Sequence, residues 1–322
     1  MKMFPRVLSI VALASLTCAA TPAVRAQSPA AKAPENPPAT EPKAADLPGV
    51  ADQAKAKAAK VIKATKDQPF VNSLGMKFVP VEITGGPTSG QNVLFSVWET
   101  RRQDYAAYAA AESGVDTSWK DEIMQDQPVV HRDDHPVVCV SWEDAGKFCA
   151  WLTEKERTSG KIGKQDTYRL PTDHEWSCAV GIGDREDASK TPEVKSMKIA
   201  DVYPWNGGKG TWPPPKGAGN YNGQETQGKF GNMFDGYDDG NMTTAPVGSF
   251  EVNGKGLYDL GGNVWEWCGD YYDGKSGSRL LRGGCWFIAV RDYLLSSLRC
   301  DSDPGKRFNF YGFRCVLVVS GS

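Results

Sequence analysis

Gly256-Leu-Tyr-Asp-Leu-Gly-Gly-Asn-Val-Trp-Glu-Trp267, followed by Arg282-Gly-Gly-Cys-Trp286, is the stretch on which the reading of this chain turns. Two glycine pairs stand beside three tryptophans, a glutamate and an aspartate. Adjacent glycines mark backbone held at positive φ or pressed against another group. Three Trp within twenty-two residues carry more apolar surface than an ordinary loop requires. The pattern reads as loop-rich backbone locked around an aromatic centre, neither a helix nor a long strand.

Outward from that centre the chain has 322 residues, 24% of them charged and 40% hydrophobic, with a formal net charge of −2. No large basic field marks nucleic acid or an acidic membrane surface as a partner. Lys2 and Arg6 precede the apolar run Val7 to Leu16, and Val24-Arg25-Ala26 offers small residues around a cleavage site. Residues 1–26 therefore read as a signal peptide, placing the protein in a secreted or periplasmic setting. The apolar run is too short to span a bilayer, and no transmembrane segment is expected. Residues 27–66 are rich in Ala, Pro and Lys and read as a mostly disordered linker. Residues 67–322 are long enough to enclose a full core.

Within that domain, Met76-Lys-Phe-Val-Pro-Val81 and Val93-Leu-Phe-Ser-Val97 predict a hairpin or a pair of edge strands. Thr100-Arg-Arg-Gln103 has the spacing of a capping box before an Ala/Tyr-rich helix. Ser141 predicts the cap of a second helix, whose Trp142, Ala145, Phe148, Cys149 and Leu152 share one apolar face. Thr172 with Glu175 predicts a third helix start. Residues 203–256 hold thirteen Gly, five Pro and six Asn, so a long irregular region must be held by something other than strand ladders, typically cations or disulfides. Gly312-Phe-Arg-Cys-Val-Leu-Val-Val319 reads as a buried closing strand.

In their order, His135-Pro-Val-Val-Cys-Val-Ser-Trp142, Tyr168-Arg-Leu-Pro-Thr172, Tyr203-Pro-Trp205, Ala245-Pro-Val-Gly248, the opening stretch, Arg282-Gly-Gly284 and Gly312-Phe-Arg314 resemble the formylglycine-generating enzyme, or sulfatase-modifying factor, family. The resemblance implies an α+β variant of the C-type lectin fold: low regular secondary structure, a small twisted antiparallel sheet, a few helices and long loops. Enzymes of that family hold Cu(I) on two cysteines shortly after the double glycine and oxidise a substrate cysteine to formylglycine. Here the matching positions are Ile288 and Tyr293 counted forward from Gly284, or Val290 and Leu295 counted back from Cys300. A hydrocarbon cannot ligate copper, a soft ion that prefers sulfur, so copper is not expected as a cofactor.

The resemblance further implies disulfides Cys149–Cys315 and Cys178–Cys300, and two structural calcium loops. In the first, Asn220, Tyr221, Asp239 and Asn241 would bind; in the second, Gly261, Gly262, Val264 and Glu266. Hard calcium suits such carboxylate, amide and carbonyl oxygens. The mature chain keeps seven cysteines, so Cys139, Cys268 and Cys285 remain, as a third bridge, as buried thiols, or as a thiol or soft-metal site. Two functions compete. One is a non-catalytic domain binding a peptide, protein or glycan in an aromatic groove of Trp265, Trp267, Tyr271, Tyr272 and Trp286. The other is an oxidoreductase using Cys285 and Cys268.

Overall fold

The computed structural model describes residues 62–320 apart from 121–122, 125–126, 129–131, 201, 206–209, 211 and 276. The expected leader and nearly all of the expected linker lie outside the described residues. Ile62 is an exception: it is buried in the core, so the domain begins before residue 67.

One sheet has five strands in the order β1-β2-β3-β11-β6, all antiparallel. These are β1 (Phe70–Val71), β2 (Lys77–Val81), β3 (Asn92–Ser96), β6 (Thr167–Arg169) and β11 (Val316–Val319). The pair expected at residues 76–97 forms, but β3 is interior and not an edge, because the closing strand β11 pairs along it. Pro80 is tolerated because β1 pairs only with Phe78 and Lys77, leaving its outer side without a ladder to serve. A second sheet runs β10-β7-β8-β9. It comprises β7 (Trp265–Tyr271), β8 (Arg279–Arg282), β9 (Cys300–Ser302) and β10 (Tyr311–Gly312), with β10 parallel to β7. A short pair, β4 (Ile123–Met124) and β5 (Gln127–Pro128), stands apart from both sheets.

The helices are α1 (Arg102–Ala111), α2 (Trp142–Thr158), α3 (Asp173–Val180) and the single turn α4 (Pro192–Lys195). Their caps explain their starts. Ser141 Oγ accepts from Asp144 N at 3.1 Å while Asp144 accepts from Ser141 N at 3.0 Å. Thr172 and Glu175 repeat the arrangement for α3. For α1 the start is displaced by one residue and only half a box forms: Asp104 accepts from Arg101 N at 3.0 Å, while the Arg101 guanidinium has no acceptor to return the bond. Thr100 is instead buried, donating its N–H to Phe313. Ser141→Ala is expected to cost about 1 kcal/mol, measurable as a lower urea midpoint at unchanged slope.

Residues 203–256 are largely irregular, as expected, with a 3-10 turn at Gln224–Thr226 and an isolated bridge between Tyr203 and Gly210. Aromatic packing holds them together. Tyr203 stacks on Trp205 at 4.7 Å, Trp212 meets Phe234 edge-on at 5.1 Å, and Tyr221 packs on Tyr237 at 5.6 Å. Among the described residues no helix is long and apolar enough to cross a membrane.

Candidate functional site

Asp259, Asn263 and the flanking glycines adopt left-handed backbone, with φ of 58° and 57° at the two non-glycine positions. Gly262 must be glycine twice over: its φ is 82°, and a Cβ there would lie 2.3 Å from the Asn220 carbonyl oxygen. The close approach lets Gly262 N donate to Gly283 O and Trp286 N donate to Asn263 O, each at 2.9 Å. The two glycine-bearing stretches are thus one structure, as their composition suggests. Asn263 is its hub, accepting from Asn220 Nδ2 and Ala245 N and donating to Glu99 at 2.6 Å.

Beneath the hub lie two buried ion clusters. Arg314 clamps Glu266 with contacts of 2.6 to 2.9 Å, and Trp176 Nε1 donates to the same carboxylate at 2.9 Å. Burial and neighbouring carboxylates push Glu99 up, and burial raises Asp259 to about 6. The second cluster centres on Asp173, which contacts Arg282, Arg299 and Lys195, while Glu186 shares Arg299 at 2.6 Å. Burial alone would raise Asp173, but the Arg282, Arg299 and Lys195 cations hold it well below the usual carboxylate range. Arg282 also lies over the Trp176 ring at 4.2 Å.

Past the double glycine the chain turns tightly, with Ile288 N donating to Cys285 O and Tyr293 N to Val290 O. A Cβ at Gly284 would lie 3.6 Å from Ile288 Cδ1 and 3.5 Å from the Tyr293 carbonyl. Both positions at which the family resemblance implies copper-binding thiols therefore face Gly284. Ile288 presents its hydrocarbon side chain there, and Tyr293 its backbone carbonyl.

The two candidate thiols do not form a site. Cys285 and Cys268 are fully buried and belong to different core clusters. Burial pushes both thiols well above their ordinary value, so neither is a ready nucleophile. The expected groove is also corrected. Trp265, Trp267 and Trp286 are core side chains, Trp267 donating from Nε1 to Val140 O at 2.9 Å. Tyr271 and Tyr272 are half-buried, and Tyr271 is covered by Arg279 at 3.6 Å, which also stacks on Trp142 at 3.7 Å.

The aromatic surface near the double glycine is built from residues not singled out in the sequence. Phe230, Phe287, Phe308 and Phe310 are half-buried. Phe230 meets Trp286 at 5.1 Å, Phe287 meets Trp286 at 5.5 Å and Phe310 at 4.6 Å, and Phe308 stacks on Phe310 at 5.2 Å. The alternation in Phe308-Asn-Phe310 was the available signal. Asn309 points the other way and is buried, its carbonyl accepting from Trp286 Nε1.

The cysteines expected to pair are thiols in the structure. Cys149 and Cys315 are juxtaposed with sulfurs 3.5 Å apart, beyond the roughly 2.05 Å of a bond. Cys178 instead contacts His174, and Cys300 contacts the Asp301 carbonyl.

For calcium, the first loop fits. Asn220 Oδ1 is buried with no partner, and burial, with Glu225 nearby, raises Asp239 to about 7. A divalent cation would satisfy both, with Tyr221 and Asn241 supplying carbonyl oxygens. The second loop does not fit. Glu266 is already neutralised by Arg314, which removes the one charged ligand from Gly261, Gly262 and Val264. Among the described residues no group of three or more His, Cys, Asp or Glu is arranged to hold a metal.

Residues 57–319 match the sulfatase-modifying factor enzyme 1-like domain. The chain is 31% identical over 273 residues to the formylglycine-generating enzyme of Mus musculus, a match covering 77% of this chain and 62% of that protein. It is 32% identical over 187 residues to the inactive C-alpha-formylglycine-generating enzyme 2 of Mus musculus, covering 56% and 48%. The chain thus spans less than two thirds of the length of either relative. The solved structure of PvdO from Pseudomonas aeruginosa shares the fold at a TM-score of 0.50 and 23% identity, covering 82% of this chain and all of that one. With the order of its hallmark segments and the glycine-locked aromatic centre, the chain belongs to the sulfatase-modifying factor family.

Proposed function

We propose that this chain is an exported, non-catalytic member of its family that binds an extended peptide on the Phe230, Phe287, Phe308 and Phe310 surface. The observation that carries the reading is the pair Ile288 and Tyr293 against Gly284, where copper chemistry would require two thiolates. The word inactive in the name of one mouse relative is in keeping with it. Half-buried phenylalanines held by ring-on-ring contacts offer rigid apolar area at little entropic cost, as peptide-binding surfaces do.

The test has two arms on the purified mature chain. With copper and oxygen, a Cys-x-Pro-x-Arg peptide is expected to remain unoxidised; its turnover would overturn the non-catalytic reading. A displayed dodecapeptide library is expected to yield binders whose affinity falls about 30-fold in Phe310→Ala, the loss of a typical aromatic anchor. Binding to a glycan array and not to peptides would replace the ligand class. Affinity unmoved in Phe310→Ala and Phe287→Ala would remove this surface.

A further inference from the structure

His174 and Cys178 stand one turn apart on α3, so their side chains meet on one face. His174 Nε2 is 3.7 Å from Cys178 Sγ and 2.9 Å from the Thr84 carbonyl. That carbonyl fixes the ring proton on Nε2, since Nδ1 is buried with no partner. The same N–H therefore faces the sulfur. Backbone encloses the pair on both sides. A Cβ at Gly86 would lie 2.8 Å from His174 Cδ2, and one at Gly183 would lie 2.3 Å from Cys178 Sγ. The covering loop is otherwise at the surface, with Thr84, Gly85, Pro87 and Ser89 exposed.

The other thiols have different surroundings. Burial raises Cys268, Cys285 and Cys300, and contact with Cys315 raises Cys149. For Cys178 burial is outweighed by the His174 contact and the Thr84 hydrogen bonds, and the thiol is held below its ordinary value.

We propose that Cys178, positioned beside His174 under the glycine loop, is a site of oxidative modification by peroxide. The thiolate attacks one peroxide oxygen; the S–O bond forms as the O–O bond breaks. Sulfur is oxidised to sulfenic acid and the peroxide is reduced to hydroxide, which takes up the proton released by the thiol to give water. Gly183 closes one side of the sulfur, where a Cβ would lie 2.3 Å away, so the added oxygen must lie on another side.

The test treats the native full chain with hydrogen peroxide and a sulfenic-acid trap, then maps the adducts by mass spectrometry. Cys178 is expected to react at least ten-fold faster than Cys268 and Cys285. In the unmodified chain, the pH profile of Cys178 alkylation by iodoacetamide is expected to have its midpoint below the roughly 8.5 of a free cysteine. In His174→Gln that midpoint is expected to move up while the melting temperature stays near that of the parent. A Cys178 no faster than Cys268 and Cys285, a midpoint at or above the free value, or a Cys178–Cys300 bridge in the mapped protein would overturn the proposal.

Discussion

Asp173→Ala is expected to lower the unfolding free energy by about 3–5 kcal/mol, the cost of leaving buried charges without their partner. Arg282, Arg299 and Lys195 converge on this one carboxylate, and Arg282 and Arg299 are themselves fully shielded from solvent. Removing it brings like charges together in a space that water cannot enter. Asp173→Asn is expected to fall between the parent and Asp173→Ala, because the amide still accepts a hydrogen bond. Equilibrium urea unfolding measures both. The same carboxylate sets an acid limit. Its folded-state pKa is depressed, so its stabilisation is fully present above the unfolded value near 3.9 and is lost as pH falls below that. A melting temperature that falls steeply below pH 4 is expected, with the fall blunted in Asp173→Asn. Between pH 7 and 5 the raised carboxyls Asp239 and Asp259 take up protons, so the melting temperature is expected to rise slightly before it falls.

Calcium is expected to raise the melting temperature through one site and not two. At a concentration about a hundred-fold above the dissociation constant, binding adds about 2.7 kcal/mol, a shift of roughly 5–10 °C for a domain of this size. Asp239→Asn is expected to abolish the response, since it removes the only carboxylate among the four ligands of the loop that fits. Glu266→Gln is expected to destabilise the fold by disturbing Arg314 while leaving the calcium increment intact. Calorimetry giving two equivalents bound would restore the second loop. An unchanged melt on chelation would remove the first.

Much of this architecture was legible because local chemistry agreed with the final packing. Ser141 and Thr172 cap the helices their spacing announces, and Val316 to Val319 form a buried strand as an unbroken apolar run should. The failures occurred where tertiary contacts decide. Trp265, Trp267 and Trp286 look like a ligand groove in one dimension, but β7 is buried on both faces from Trp265 to Cys268, and Trp286 N is tied to the Asn263 carbonyl, so all three lie inside. The half-buried rings at the surface come from Phe230, Phe287, Phe308 and Phe310, which belong to separate loops brought together only by the fold. Cys178 was assigned to a bridge by analogy, although its spacing from His174 was readable as a helical pair. Glu266 was expected to meet a metal because nothing local reveals that Arg314, forty-eight residues later, reaches it first.

The placement of β11 also bears on how the molecule is made. β11 follows every other strand of its sheet in the chain and joins β3 to β6, so β6 has no partner in the five-stranded sheet until residues 316–319 have been delivered. Val93, Phe95 and Tyr168 stay without their cover until residues 316–319 follow, and closure over such distances is slow. Deleting only Val316 to Val319 would therefore strip β3 of its neighbour and leave β6 with no strand to pair with.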